Sequence, residues 1–144
     1  MTFIGVVTVF FYREGIYGAY LLDDHHVLPP LANYQGKWEF DKALEYILSG
    51  VGALKRPVSY LTFFFQRESW PNNLENFKLF NVCLHAINGV LILYISLLLA
   101  RQVEVLKKYS LIFALTVAVI WIFNPIQVST VEYITQRMTQ LSTF

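Results

Sequence analysis

The chain has 144 residues, of which 56% are hydrophobic and only 15% are charged, and its formal net charge is +1. A water-soluble domain of this size has too little interior to bury so much apolar surface, so the composition favours an integral membrane protein. The total charge is uninformative by itself, but the chain has no basic stripe, so nucleic acid is not expected as a partner. Cys83 is the single cysteine, which excludes an internal disulfide.

Residues 1–22 are the first predicted segment, which is apolar as far as Tyr12 and is then interrupted by Arg13 and Glu14. A spanning helix needs about twenty residues, and a charged side chain at the bilayer centre costs about 2.5 kcal/mol or more. Two interpretations stay open. One is a shortened first helix with residues 15–22 at the outer interface, which we favour, and the other is a thin span with a charge pair inside it.

Residues 23–78 are polar and mixed, with several Pro and Gly breakers, and predict a structured loop. Within this loop, apolar residues follow the spacing of one amphipathic helix that ends at Ser49 and Gly50. The spacing is carried by Phe40, Ala43, Leu44, Ile47 and Leu48. Such a face can lie on a membrane or pack on neighbouring elements. A second segment, residues 58–65, is interpreted as a short interfacial or bundle-packed helix.

Residues 79–100 are the clearest predicted transmembrane helix, because they contain no Lys, Arg, Asp or Glu. Asn81, His85 and Asn88 recur at i, i+4 and i+7, so they form one polar stripe on the half of the helix nearest the 23–78 loop. Polar groups that face lipid are costly. The stripe is therefore expected to face the bundle interior or a wet cavity.

Residues 101–109 carry three basic residues against the single acidic Glu104. The positive-inside rule assigns this connection to the cytoplasm. Residues 110–125 then return outward as a further span, with Trp121 placed for an aromatic belt. The 126–144 tail and the 23–78 loop consequently share the extracytoplasmic face.

The tail is expected to be helical over residues 128–144. Helical spacing puts Glu132, Gln136 and Gln140 on one stripe, and puts Tyr133 and Arg137 on another.

Asp23 and Asp24 are the first candidate chemical groups, because a carboxylate in a half-buried cleft can act as a base beside a metal or hydrogen-bonding partner. The alternative for both is a solvated loop start and helix cap. His25 and His26 do not predict a metal site, since adjacent residues of one regular element rarely both ligate and no Cys completes a set.

Two arginines are candidate phosphate ligands. Arg56 and Arg137 could bind phosphate through forked, charge-assisted hydrogen bonds, or could extend to the membrane interface instead. His85 could take part in chemistry, but a histidine in a spanning helix is more often a hydrogen-bonded packing residue. Nucleotide, zinc and nucleophile-elbow motifs are absent from the chain.

Four sequence blocks carry a resemblance to a known family. They are GAYLLDD at 18–24, KRPVS at 55–59, FNVCLHAIN at 80–88 and WIFNPIQVSTVEYITQRMTQL at 121–141. In this order they resemble the N-terminal part of polytopic GT-C glycosyltransferases, in the protein O-mannosyltransferase-like branch that often carries tetratricopeptide repeats. The last block is the most specific, since it is similar to the second extracytoplasmic loop of bacterial members.

The resemblance implies an all-α, polytopic membrane helix bundle, here with about three transmembrane helices and with amphipathic interfacial helices in the first extracytoplasmic loop. It implies transfer of a sugar from a polyprenyl-phosphate donor to an extracytoplasmic protein or glycan acceptor in a bacterial inner membrane. The matching catalytic positions are Asp23 and Asp24, of which Asp24 is favoured as the base. The donor would contact Arg56, Arg137, His85, Asn81 and Asn88. No metal ligand is assigned, although a divalent metal is compatible with this chemistry.

A complete enzyme of this family has many more transmembrane helices than this chain. The chain is therefore expected to be a fragment or a reduced relative, which leaves its own enzymatic activity undecided. The alternative is a small, non-catalytic, multi-pass membrane subunit that packs against partner helices of a larger complex. The short length and the polar stripe, which needs neighbours, favour that alternative.

Overall fold

Helices form nearly all of the regular structure in the computed structural model, which describes residues 2–19, 24–36, 38–48 and 56–142. The helices are α1 Thr2–Ile16, α2 Asp24–Val27, α3 Phe40–Leu48, α4 Pro57–Phe65, α5 Leu74–Gln102, α6 Glu104–Lys107, α7 Ser110–Ile122, α8 Gln127–Glu132 and α9 Arg137–Leu141. Three 3₁₀ turns lie at Pro29–Tyr34, Arg67–Ser69 and Ile134–Gln136. These ranges contain no strand, which confirms the predicted all-α class.

The long helix α5 is the axis of the fold, with α1 and α7 packed along it. Its 29 residues begin before and end after the predicted span at 79–100. Among the residues that the structure describes, α5 is the one helix that is long and apolar enough to cross a membrane. The 13 residues of α7 are apolar, but they fall short of the roughly twenty that a straight span needs.

Arg13 and Glu14 interrupt the apolar run of the first segment but not its helix. Both residues lie inside α1, which continues to Ile16. Arg13 Nε and Glu14 Oε1 pair at 2.9 Å with both side chains exposed, so neither charge is buried in the bundle. Of the stretch predicted to lie at the interface, residues 20–22 fall outside the described residues.

Lys78 extends the polar stripe of α5 and binds the end of α1. Its buried ammonium donates to the carbonyl oxygens of Gly15, Gly18 and Ala19, at 2.9, 2.8 and 3.2 Å. The last carbonyls of a helix lack partners within the helix, and the negative end of the helix dipole favours a cation there. Lys78 therefore fixes the C-terminal end of α1 against α5.

His85 binds the end of α7 in a similar way. The carbonyl oxygen of Ile122 accepts a hydrogen bond from the Tyr12 hydroxyl at 3.0 Å and lies 3.1 Å from His85 Nε2. The Trp121 ring stacks on the His85 ring, with 4.5 Å between centroids, so Trp121 packs on the polar stripe of α5. The stripe faces the bundle interior, one of the two expected environments, and its partners there include backbone carbonyls of α7 and of the tail.

The tail does not form the single helix expected over residues 128–144. Helix α8 ends at Glu132, and Tyr133 is extended, with φ −80° and ψ 124°. The predicted stripe of Glu132, Gln136 and Gln140 is therefore wrong, because the helical register is lost between its first and second members.

Side chains from distant elements cause this break, because they bind the backbone groups that a continuous helix would use. Asn81 Nδ2 donates to the carbonyl oxygens of Val131, Tyr133 and Ile134, at 3.2, 3.0 and 3.3 Å. Further along, Asn88 Nδ2 donates to the Gln140 carbonyl oxygen at 3.3 Å. Such side-chain to backbone bonds compete with helix hydrogen bonds.

The 23–78 loop and the tail share one hydrophobic core, to which the tail contributes Ile134. Its fully buried large members are Leu28, Leu31, Tyr46, Phe63, Phe64, Phe77 and Ile134. Helix α3 occupies the range predicted from spacing, but Phe40, Leu44 and Leu48 stay exposed while Ala43 and Tyr46 are buried. The predicted end of this helix at residues 49–50 lies outside the described residues. Helix α4 packs into this core. Of the two placements expected for it, interfacial or packed against other helices, the structure shows the second.

Candidate functional site

Asp24 is fully buried and holds the start of the last 3₁₀ turn. Its Oδ1 accepts a hydrogen bond from the backbone N–H of Thr135 at 2.8 Å, and its Oδ2 accepts one from the N–H of Ile134 at 3.3 Å. Backbone N–H groups at a helix start favour a negative charge. These contacts are those of a cap supplied by a distant element. Asp23, the other candidate base, lies outside the described residues.

Arg137 is also fully buried, and each of its guanidinium nitrogens donates to a protein acceptor. Nε donates to Asn81 Oδ1 at 2.8 Å, Nη2 to the Phe77 carbonyl at 2.9 Å and Nη1 to Thr62 Oγ1 at 3.3 Å. Its Cζ lies 4.3–5.8 Å from the ring centroids of Phe63, Phe77 and Phe80. Burial lowers the pKa of Arg137 to about 9, which leaves the group charged at neutral pH.

Asp24 and Arg137 together fix a short segment of tail that forms one wall of an open cleft. The cleft has a volume of about 500 Å³. Its walls come from α2, from the residue before α4, and from the 135–139 stretch of the tail. The lining residues are His26, Val27, Arg56, Thr135, Gln136, Met138 and Thr139.

The cleft presents hydrogen-bond donors that no described residue of the chain accepts. The side chains of Arg56 and His26 and the Nε2 group of Gln136 have no hydrogen-bond partner among the described residues. None of the described residues that line the cleft is acidic. A concave surface on which the described residues leave a guanidinium unpaired and contribute no carboxylate favours an anion, and a forked guanidinium is suited to phosphate.

A second, mostly apolar groove adjoins the cleft at Arg56. It has a volume of about 190 Å³ and is lined by Arg56, Pro57, Val58, Ser59, Met138, Leu141 and Ser142. Arg56 and Met138 line both spaces. Arg56 therefore lies between a polar cleft and an apolar groove, an arrangement that fits a ligand with an anionic group between a polar end and an apolar end.

The structure brings together only part of the predicted site. Arg56 lines the cleft, whereas the other candidate donor ligands bind backbone or side chains in the interior: Asn81, His85, Asn88 and Arg137. No functional role was predicted for Thr135, Gln136 or Thr139. All three lie in the 121–141 block, the most specific of the four, and this location was the signal in the sequence that could have pointed to them. His26, considered only for metal, lines the same cleft.

No group of three or more His, Cys, Asp or Glu side chains among the described residues is placed to hold a metal ion. Comparison with known protein families, with curated proteins and with solved structures finds no match to this chain.

Proposed function

We propose that this chain is the N-terminal module of an integral-membrane glycosyltransferase, which moves a sugar from a polyprenyl-phosphate donor to an extracytoplasmic acceptor. The observation that carries the proposal is the position of Arg56 between the polar cleft and the apolar groove. A polyprenyl-phosphate sugar has the same three parts in the same order, with its phosphate between a sugar and an isoprenoid chain.

The two spaces suggest how the donor lies. The Arg56 guanidinium binds the phosphate through charge-assisted hydrogen bonds. The first isoprene units lie in the groove beside Val58, Met138 and Leu141, and the sugar lies in the cleft beside Gln136. The volumes of about 190 and 500 Å³ accommodate the start of a lipid chain and one sugar, respectively.

Sugar transfer needs a base and a group that stabilises the leaving phosphate. The hydroxyl of the acceptor gives its proton to a carboxylate while its oxygen bonds to the anomeric carbon, and the bond from that carbon to the phosphate oxygen breaks. The electron pair stays on the polyprenyl phosphate, whose added negative charge Arg56 stabilises. We assign the base to Asp23, because both carboxylate oxygens of Asp24 bind backbone N–H groups and make Asp24 a positioning residue.

The membrane placement is part of the same proposal. Helix α5 crosses the bilayer, α1 and α7 pack beside it as further membrane helices of a polytopic bundle, and α3 presents its exposed apolar row to the interface. The basic connection at 101–109 lies in the cytoplasm, which puts the cleft on the extracytoplasmic side of a bacterial inner membrane.

The test is sugar transfer by the full-length protein in native membranes, supplied with radiolabelled mannosyl- and glucosyl-phosphoundecaprenol. We expect Asp23→Asn to lower release of undecaprenyl phosphate by about 10²–10⁴-fold and Arg56→Ala by about 10²–10³-fold. Arg101→Ala, at the far end of α5, is the matched control. Unchanged release in both site variants would contradict the proposal.

A second candidate function, a non-catalytic membrane subunit, is favoured by a groove between α1 and α5. This groove of about 710 Å³ is apolar apart from Arg13, and its small residues Gly5, Cys83 and Ala86 would let another helix approach closely. A partner helix would pack here in a larger complex. On this hypothesis Gly5→Leu abolishes co-purification in fixed stoichiometry with the complex, whereas purification of the unaltered chain as a stable monomer would contradict it.

A further inference from the structure

Gln136 has a side-chain amide whose orientation is fixed by a neighbour. Thr139 Oγ1 donates a hydrogen bond to Gln136 Oε1 at 2.8 Å, and both residues line the polar cleft. The amide oxygen is therefore occupied within the protein. The two N–H donors on Nε2 have no acceptor among the described residues, so they are available to a ligand.

The backbone on both sides of Gln136 is anchored. Asp24 binds the N–H of Thr135, and the Arg137 side chain is bound to Asn81 and to the Phe77 carbonyl. A side chain between two such anchors is held in place before a ligand arrives, as precise recognition requires. Gln136 is thus a preorganised neutral donor.

Its location separates Gln136 from the phosphate and the lipid chain. Arg56 and Met138 line both the cleft and the apolar groove, whereas Gln136 lines the cleft alone. In the proposed donor pose the cleft holds the sugar. A neutral amide suits an uncharged hydroxyl, while the charged Arg56 suits the phosphate.

We propose that Gln136 Nε2 donates a hydrogen bond to a hydroxyl oxygen of the donor sugar, and that Thr139 is a positioning residue that orients this amide. The inference rests on the proposed function and adds the residue that distinguishes a sugar-bearing lipid phosphate from a bare one. A site built to hydrogen-bond a hydroxyl disfavours a ligand that lacks it.

The test measures how strongly the full-length protein in lipid nanodiscs binds undecaprenyl phosphate and its mannosyl, glucosyl and galactosyl esters. The readout is the ratio of the affinity for the best sugar ester to the affinity for bare undecaprenyl phosphate. We expect Gln136→Ala to lower this ratio about tenfold and to leave the affinity for the bare lipid unchanged. Thr139→Val should lower the ratio in the same direction, and Thr139→Ser, which keeps the hydroxyl, should restore it.

The outcomes separate this inference from the proposed function. If Gln136→Ala leaves this ratio unchanged, the proposed sugar contact is overturned. An equal loss of affinity for the sugar ester and for the bare lipid would also overturn it, because a misfolded cleft does not discriminate between the two ligands. Unaltered protein that binds no ester better than the bare lipid would also overturn it. Failure of Arg56→Ala to weaken any of the ligands would instead count against the phosphate site itself.

Discussion

Asp24 Oδ1 accepts a hydrogen bond from the Thr135 N–H at 2.8 Å, joining two residues that lie 111 positions apart. The bond connects the first polar residues after α1 to the tail that follows α7. It also shapes the cleft, because Thr135 lines that cleft and Asp24 sets its backbone position. The Asp24 carboxylate was expected to act as the base. In this structure it instead supports one wall of the cleft.

Replacement of Asp24 is expected to destabilise the protein. In Asp24→Asn one side-chain oxygen still accepts a hydrogen bond, but the amide NH₂ faces the other N–H and leaves it unpaired, at about 1–3 kcal/mol. Asp24→Ala should cost more. Thermal unfolding of the purified protein measures both effects, and Asp41→Asn on the exposed side of α3 is the control. Equal unfolding temperatures for Asp24→Ala and the unaltered protein would show that the cap is dispensable.

Asn81 and Arg137 should be energetically coupled, because Arg137 Nε donates to Asn81 Oδ1 at 2.8 Å in a fully buried site. A double-mutant cycle with Asn81→Ala and Arg137→Met is expected to give a coupling of about 1–3 kcal/mol. The exposed pair of Lys42 and Glu39, at 3.1 Å, should give less than about 1 kcal/mol. Additive effects at the buried pair would mean that the two residues act independently.

Lys78 is predicted to hold the end of α1 in place. Lys78→Met keeps much of the side-chain volume but leaves the carbonyls of Gly15, Gly18 and Ala19 without their shared donor. Amide hydrogen exchange over residues 15–19 should become faster, since this end would open locally. Lys42→Met, at an exposed position, should leave that exchange unaltered. If both variants exchange at the same rate as the unaltered protein, Lys78 does not stabilise this helix end.

Two glycines offer a matched test of helix packing. A Cβ at Gly89 would lie 2.6 Å from Ile122 Cδ1, whereas a Cβ at Gly5 would meet no atom within 4 Å. Both changes to Ala gain about 1 kcal/mol of helix propensity, so their difference isolates the clash between α5 and α7. We expect Gly89→Ala to be about 1–3 kcal/mol less stable than Gly5→Ala. Equal stability would show that α5 and α7 separate easily.

The parts of the fold that sequence could predict are those set by local periodicity. The range of α3 and the inward polar stripe on α5 both follow from spacing along a single helix. Lys78 was missed as a member of that stripe because the prediction relied on a charge-free window that begins after it. Its role depends on where α1 ends in space, which spacing along α5 does not contain.

The tail shows why the remainder could not be predicted. Residues 128–144 have the composition of one helix, and local propensity does not reveal the break at Tyr133. The break depends on Asn81 and Asp24, which bind tail backbone groups from far away in sequence. The cleft was missed for the same reason, because Gln136 faces it only in the register that this break creates.

The most direct test of the central claim is equilibrium binding of undecaprenyl phosphate to the full-length protein in lipid nanodiscs, comparing Arg56→Ala with Arg101→Ala. Charge-assisted hydrogen bonds contribute about 1.5–3 kcal/mol, so we expect Arg56→Ala to weaken binding about 10- to 100-fold. Arg101, exposed at the other end of α5, should be replaceable without effect. Equal affinities for Arg56→Ala and the unaltered protein would contradict the account of the cleft.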